Sequence, residues 1–135
     1  MRTIYYNNEP LALYVEARDF EGDFGFFTRD GDNLQISRWN HNYGYVCKRH
    51  IHYEIPRTIN RVHEVLYIIK GKVKTTIYNL DERAVEELVL YEGDLLYCMN
   101  CGHGYVILGK ETRVLEVKNG PFFGDDKYDQ ERRLF

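Results

Sequence analysis

Polar and apolar side chains alternate in short runs along most of this chain, with the period of two expected of strands that bury one face. The pattern predicts strands at 11–16, 24–28, 34–39, 45–53, 64–70, 72–78, 85–91, 94–98, 103–108 and 113–118. The breaks between them carry turn chemistry: Asp30-Gly31-Asp32-Asn33, Lys70-Gly71-Lys72, Glu92-Gly93-Asp94 and Leu108-Gly109-Lys110. One stretch supports two readings. Val85, Leu88 and Val89 have helical spacing, yet Val85, Glu87, Val89 and Tyr91 alternate. Strand-like neighbours on both sides favour a strand after a turn at 79–83. Many short strands at regular spacing predict an all-β sandwich or barrel.

The run 64–69 is apolar on both faces, with Leu66 and Ile68 on one side and Val65, Tyr67 and Ile69 on the other. Such a strand is covered twice. A barrel interior supplies one cover, and N-terminal strands or a second subunit supply the other, so a homodimer is expected. No repeat, low-complexity segment or linker divides the sequence, and its 135 residues suit a single domain. The tail 122–135 reads as a short helix or a loosely ordered arm.

Composition narrows the function classes. With 44% hydrophobic and 29% charged residues the chain is not intrinsically disordered. Eighteen basic against twenty-one acidic residues give a net charge of −3, which argues against a general nucleic-acid binder. No apolar run reaches the roughly 18–20 residues of a membrane span. Residues 1–10 show no basic segment leading into an apolar one, so a cytoplasmic location is expected. Twelve Tyr, seven Phe and one Trp favour half-buried pleated surfaces. The three cysteines, Cys47, Cys98 and Cys101, are an odd number and fit a disulfide framework poorly.

The strongest local chemistry is Arg49-His50-Ile51-His52-Tyr53. Side chains two apart on a strand share a face, so His50 and His52 present paired imidazoles as a metal site needs. The bland alternative is two surface histidines on a hairpin. Lys48 lies on the same predicted face. Arg57 and Arg61 fall in the loop expected to form the mouth, and with Lys118 they suit a carboxylate, a phosphate or a nucleotide-sugar diphosphate, unless all four are solvated surface charges. Tyr53, Tyr97 and Tyr105 line a pocket or fill the core, while His41 and His63 are read as non-ligands. Cys98-Met99-Asn100-Cys101 could build a structural zinc site with Cys47 or His103. A second ligand pair of matching spacing is missing, however, so Cys98 is read as a small core residue.

Several residues occur in a familiar order. Gly44 precedes His50 with five residues between, His52 follows, Glu64 precedes Gly71 with six between, and a Gly93-Asp94 turn leads on to His103. This arrangement resembles the cupin superfamily, over about 44–118. The resemblance extends to small bacterial cupins through Val117-Lys118-Asn119-Gly120-Pro121-Phe122. It implies a cupin-type double-stranded β-helix, a jelly-roll barrel, with extra N-terminal strands at 1–43. By resemblance the metal ligands are His50, His52, Glu64 and His103, with Glu64 as ligand or catalytic base. Lys48, Arg57, Arg61, Tyr105 and Lys118 become substrate-binding candidates. The sequence departs from the pattern in two places: eleven residues separate His52 from Glu64, and the second motif is shortened around Met99 and Cys101. Such a site implies one divalent transition metal (Fe, Mn, Ni or Zn) and a small polar substrate, sugar-derived or anionic. The expected reaction is isomerisation, epimerisation or oxygenation. The alternative is a non-catalytic module that binds a small ligand.

Overall fold

The computed structural model describes residues 1–122. The predicted tail at 122–135 therefore lies almost wholly outside the described residues. The described chain is all-β apart from one 3-10 turn at Ala17–Phe20. Ten strands follow in order: β1 (Arg2–Tyr6), β2 (Glu9–Val15), β3 (Gly25–Phe26), β4 (Ser37–Arg38), β5 (Glu64–Lys70), β6 (Lys72–Tyr78), β7 (Ala84–Tyr91), β8 (Leu95–Cys98), β9 (Gly102–Ile107) and β10 (Arg113–Lys118). They form a five-stranded sheet in the order β1-β2-β8-β5-β10, a three-stranded sheet in the order β7-β6-β9, and the small β3-β4 pair. All pairings are antiparallel. The sheets stay open at their edges, and no closed barrel is present among the described residues. No helix is long and apolar enough to cross a membrane.

Local sequence explains the hairpins. Asn7 and Asn8 adopt φ of 48° and 65°, so the β1–β2 link is a two-residue turn of the kind asparagine tolerates. Gly71 joins β5 to β6 at φ +91°, and a Cβ there would stand 2.6 Å from the Glu111 carbonyl oxygen. Only glycine fits. The ambiguous 81–91 stretch is a strand: Asn79 Oδ1 accepts from the Asp81 and Arg83 amides, and Glu82 takes φ 67° in the turn that launches β7.

The five-stranded sheet is covered on both faces, as the doubly apolar 64–69 run requires. Its inner face meets the three-stranded sheet through Ile4, Ala12, Ile68, Leu96, Val73 and Ile77. Its outer face packs Leu13, Val15, Leu95 and Tyr97 under Phe20, Phe27, Leu34 and Ile36 of the 17–38 stretch. Full burial of each such aliphatic side chain contributes about 1.5–3 kcal/mol. On one side the two sheets are tied together by the Arg2–Glu86 ion pair between β1 and β7. At the end of β2, the buried Asp94 carboxylate accepts from Tyr14 Oη (2.8 Å), the Ala17 amide (2.8 Å) and the Tyr91 amide (2.9 Å).

Two expectations are corrected. β1 escaped the sequence pattern altogether, and the strand predicted at 45–53 does not form. Residues 39–63 between β4 and β5 have no strand, and every residue from 39 to 58 is exposed. An alternating sequence fits a pleated surface only where a neighbouring edge receives it, and here no edge does.

Candidate metal centre

On the side of the sandwich opposite the Arg2–Glu86 tie the sheets end in the edge strands β10 and β9, and the register of four strands gathers polar side chains at this end, here called the mouth. Glu64 opens β5 and pairs with Cys98 on β8 and with Lys118 on β10. Across the gap, β9 pairs with β6 so that His103 stands opposite Ile77 and Tyr105 opposite Thr75, both buried inward positions. His103 and Tyr105 are two apart and therefore also face inward. Cys101 lies in the short link from β8 to β9.

These groups are within bonding reach of one another. His103 Nε2 is 3.4 Å from Glu64 Oε1, Tyr105 Oη donates to the same oxygen at 2.9 Å, and Lys118 Nζ lies 3.1 Å from Oε2. The Tyr105 ring stacks on the His103 imidazole with centroids 5.0 Å apart, and its hydroxyl lies 3.9 Å from Cys98 Sγ. Burial alone would raise the Glu64 pKa, but His103, Lys118 and Tyr105 outweigh it and hold the carboxyl at about 2. Burial would likewise lower His103, yet the neighbouring Cys101 thiol and Glu64 carboxylate lift it to about 9. The Cys98 thiol, beside Cys101 and almost fully buried, is pushed upward, whereas Cys101 is drawn down to about 6 by Cys98 and then by His103, against the effect of burial. A thiol, an imidazole and a carboxylate thus share one polarised cluster.

Cys98, Cys101 and His103 have ligand atoms within 4.8 Å of one another, and among the described residues they are the one group of three or more His, Cys, Asp or Glu side chains so placed. Both cysteines are free. The group is positioned to hold a metal ion. His103 Nδ1 is buried and lacks a hydrogen-bond partner, whereas Nε2 faces Glu64. Buried polar atoms are rarely left unpaired, and this one belongs to the ring that shares the 4.8 Å group with Cys98 and Cys101.

The structure separates the residues singled out in the sequence. Glu64, His103, Tyr105 and Lys118 meet in the mouth. His50 and His52 do not join Glu64 and His103 in a metal-sized group; they stand exposed in the 39–63 segment, ring centroids 4.9 Å apart, with His50 Nδ1 2.9 Å from the Lys48 carbonyl oxygen. Lys48 and Arg57 are exposed on the same segment. Arg61 lines a separate cavity of about 320 Å3 with Arg29, Asn33, His63 and Tyr97. Cys98 is the core residue expected, but it also belongs to the ligand group that the sequence reading set aside. The signal for that group was present as Cys-x2-Cys followed two residues later by His103.

His63, read as a non-ligand, is buried on the other face of the sheet. Its Nδ1 lies 2.7 Å from Tyr97 Oη and its Nε2 2.9 Å from Asn33 Nδ2. Comparison of the chain with protein-family models, with curated proteins and with solved structures returned no match.

Proposed function

We propose that this chain is a metal-dependent enzyme of cupin-like, jelly-roll build, with its metal held by Cys98, Cys101 and His103 in the mouth between the sheets. The observation that carries the reading is the mutual approach of those three ligands within 4.8 Å, with His103 Nδ1 still unpartnered. Two thiolates and one imidazole suit zinc and leave a fourth position for water or substrate. Bound there, a zinc ion would supply Lewis acidity to a carbonyl or lower the pKa of a water.

The chain's own residues define the rest. Glu64 accepts from Tyr105 and pairs with Lys118 and His103, so its oxygens are already engaged. Its role here is to orient the His103 ring from Nε2 and leave Nδ1 free, the arrangement that fixes the tautomer of metal-bound histidines. Lys118, whose side chain is 41% exposed, offers the mouth a cation for an anionic or polar substrate. Tyr105 offers a hydroxyl in the same space. Isomerisation or epimerisation of a small sugar-like molecule uses such groups to hold and move a proton.

The resemblance to cupins supports a second ligand set, His50, His52, Glu64 and His103. Elemental analysis of chain purified without tag or chelator separates the two. Near-stoichiometric zinc that disappears in Cys101→Ser and His103→Ala, and persists in His50→Ala, supports the cysteine-based centre. Loss in His50→Ala with retention in Cys101→Ser would transfer the site to the histidine set. Absence of metal after reloading would refute both.

A further inference from the structure

The face of the five-stranded sheet turned away from the metal group carries the cavity of about 320 Å3. Its floor includes His63 and Tyr97, whose Nδ1 and Oη lie 2.7 Å apart, with Met99 beside them. Alternation along β8 and its exit decides which side each residue serves. Leu96 and Cys98 belong to the inner core, whereas Tyr97 and Met99 belong to the outer one. The link Cys98-Met99-Asn100-Cys101 therefore gives its two cysteines to the metal group and its two middle residues to the cavity.

One wall is built in advance. In the turn at 29–32, Arg29 Nη2 lies 2.7 Å from Asp32 Oδ1, and the Arg29 amide donates to Oδ2 at 2.8 Å. The Asp32 side chain is only 9% exposed. Gln35 Nε2 donates to the Arg29 and Asp32 carbonyls at 2.9 Å each, which fixes the turn. These two charges answer each other. Other groups on the wall have no such answer among the described residues. Arg61 has no carboxylate within ion-pair distance, and Glu9 has no cation. Glu9 Oε1 accepts from Asn100 Nδ2, while Asn100 Oδ1 is buried without a hydrogen-bond partner. A buried acceptor of this kind calls for a donor.

The cavity thus offers one unanswered cation, one unanswered anion and an orphan acceptor next to the anion. Its formal charge is balanced, since Arg29 and Arg61 match Asp32 and Glu9. A dianion such as phosphate would leave negative charge in excess, and a polyamine would leave positive charge. We propose that this cavity binds a free amino acid, with its carboxylate on Arg61 and its ammonium on Glu9 and Asn100 Oδ1. A zwitterion meets both lone charges at once, through charge-assisted hydrogen bonds of the stronger class. A simple acid or a simple amine meets one and leaves the other unpaired. Pro10 and Met99 supply apolar surface for a side chain. The volume stands at the small end of the roughly 300–1,000 Å3 usual for ligand pockets, as a ligand of this size requires. The inference stands whether or not the metal group is filled, because the two sites lie on opposite faces of the sheet.

The test uses the full 15N-labelled chain, with the proteinogenic L-amino acids as separate probes at millimolar concentration. One or more should give a saturable shift of the His63 imidazole and Asn100 side-chain amide signals. The analogues of that amino acid lacking the amino group or the carboxylate (propionate and ethylamine in the case of alanine) should each bind at least about tenfold more weakly. Arg61→Gln and Glu9→Gln should each weaken binding by roughly 10–100-fold. Both side chains are exposed, and Gln at position 9 keeps an acceptor for Asn100, so unchanged far-UV circular dichroism is expected. Silence from every amino acid overturns the inference. So does equal binding of a one-charge analogue, which would mean a site for simple ions, or binding indifferent to both substitutions. Shifts centred on His103 and Tyr105 would transfer the ligand to the mouth and overturn it as well.

Discussion

Two histidines face opposite sides of the same five-stranded sheet, each beside a tyrosine, and their surroundings drive them in opposite directions. His63 stacks obliquely near Tyr97, centroids 5.7 Å apart, and its nitrogens meet a neutral phenol and a neutral amide. Burial lowers its pKa, with Asp32 opposing only in part. His103 lies against Tyr105, but its neighbours are a carboxylate and a thiol, and its pKa rises to about 9. The difference lies in the partners, since burial pushes both rings the same way. Neutral partners make a histidine into a structural pin, and ionised ones make it into a candidate reactive group.

The largest test of that contrast is truncation on the pinned side. Tyr97 is 0% exposed at the centre of the outer core, so Tyr97→Ala should cost about 3–5 kcal/mol in urea unfolding. Any metal bound at the mouth should survive in the folded fraction. Next comes Glu64→Gln, which removes the charge that His103 and Lys118 face. The His103 titration, followed by NMR in metal-free protein, should move down from about 9, and metal affinity should weaken by roughly 10–100-fold. An unmoved titration would mean that the imidazole is governed from elsewhere. Tyr97→Phe is gentler. It removes the hydroxyl shared by His63 and the Leu34 amide, costs about 1 kcal/mol, and leaves the mouth unaltered.

The smallest effect is one of pH. A histidine whose folded pKa lies below its unfolded value of 6.5 contributes stability that is complete above 6.5 and declines as pH falls towards the folded value. His103 does the reverse, with its contribution complete below 6.5 and lost between 6.5 and about 9. Between pH 6.5 and 5 the slope therefore belongs to His63 together with Cys101, whose folded pKa of about 6 makes its own contribution decline in the same window. Urea midpoints of wild type should fall there, and those of His63→Gln should fall less steeply.

Much of this architecture was legible from periodicity and turns. The span of β5, the glycine that turns it into β6, and the Asn79 turn before β7 all follow from local rules that the tertiary structure respects. The 45–53 strand was misplaced for a different reason. Alternation specifies a strand-like surface, but an edge to receive it is a property of the whole assembly. At the mouth, Glu64 and His103 were expected together as ligands and Tyr105 and Lys118 as substrate-binding groups, and strand register brings these four side chains together without His50 and His52. Cys101 was undervalued because zinc spacing was judged by ligand pairs, whereas a tight link between adjacent strands delivers the third ligand without a second pair.

The Asp94 carboxylate has a consequence for how the molecule opens. It binds the end of β7 in the three-stranded sheet, the Tyr14 hydroxyl of β2 in the five-stranded one, and the amide that starts the 3-10 turn. Sheets joined at such a node do not breathe apart independently at that end. In hydrogen exchange, the Ala17 and Tyr91 amides should share the slow rate of global unfolding, while amides along the β9 and β10 edges of metal-free monomer exchange through local opening. The fold is thereby hinged at one end and free at the other, and access to the mouth requires none of its core to melt.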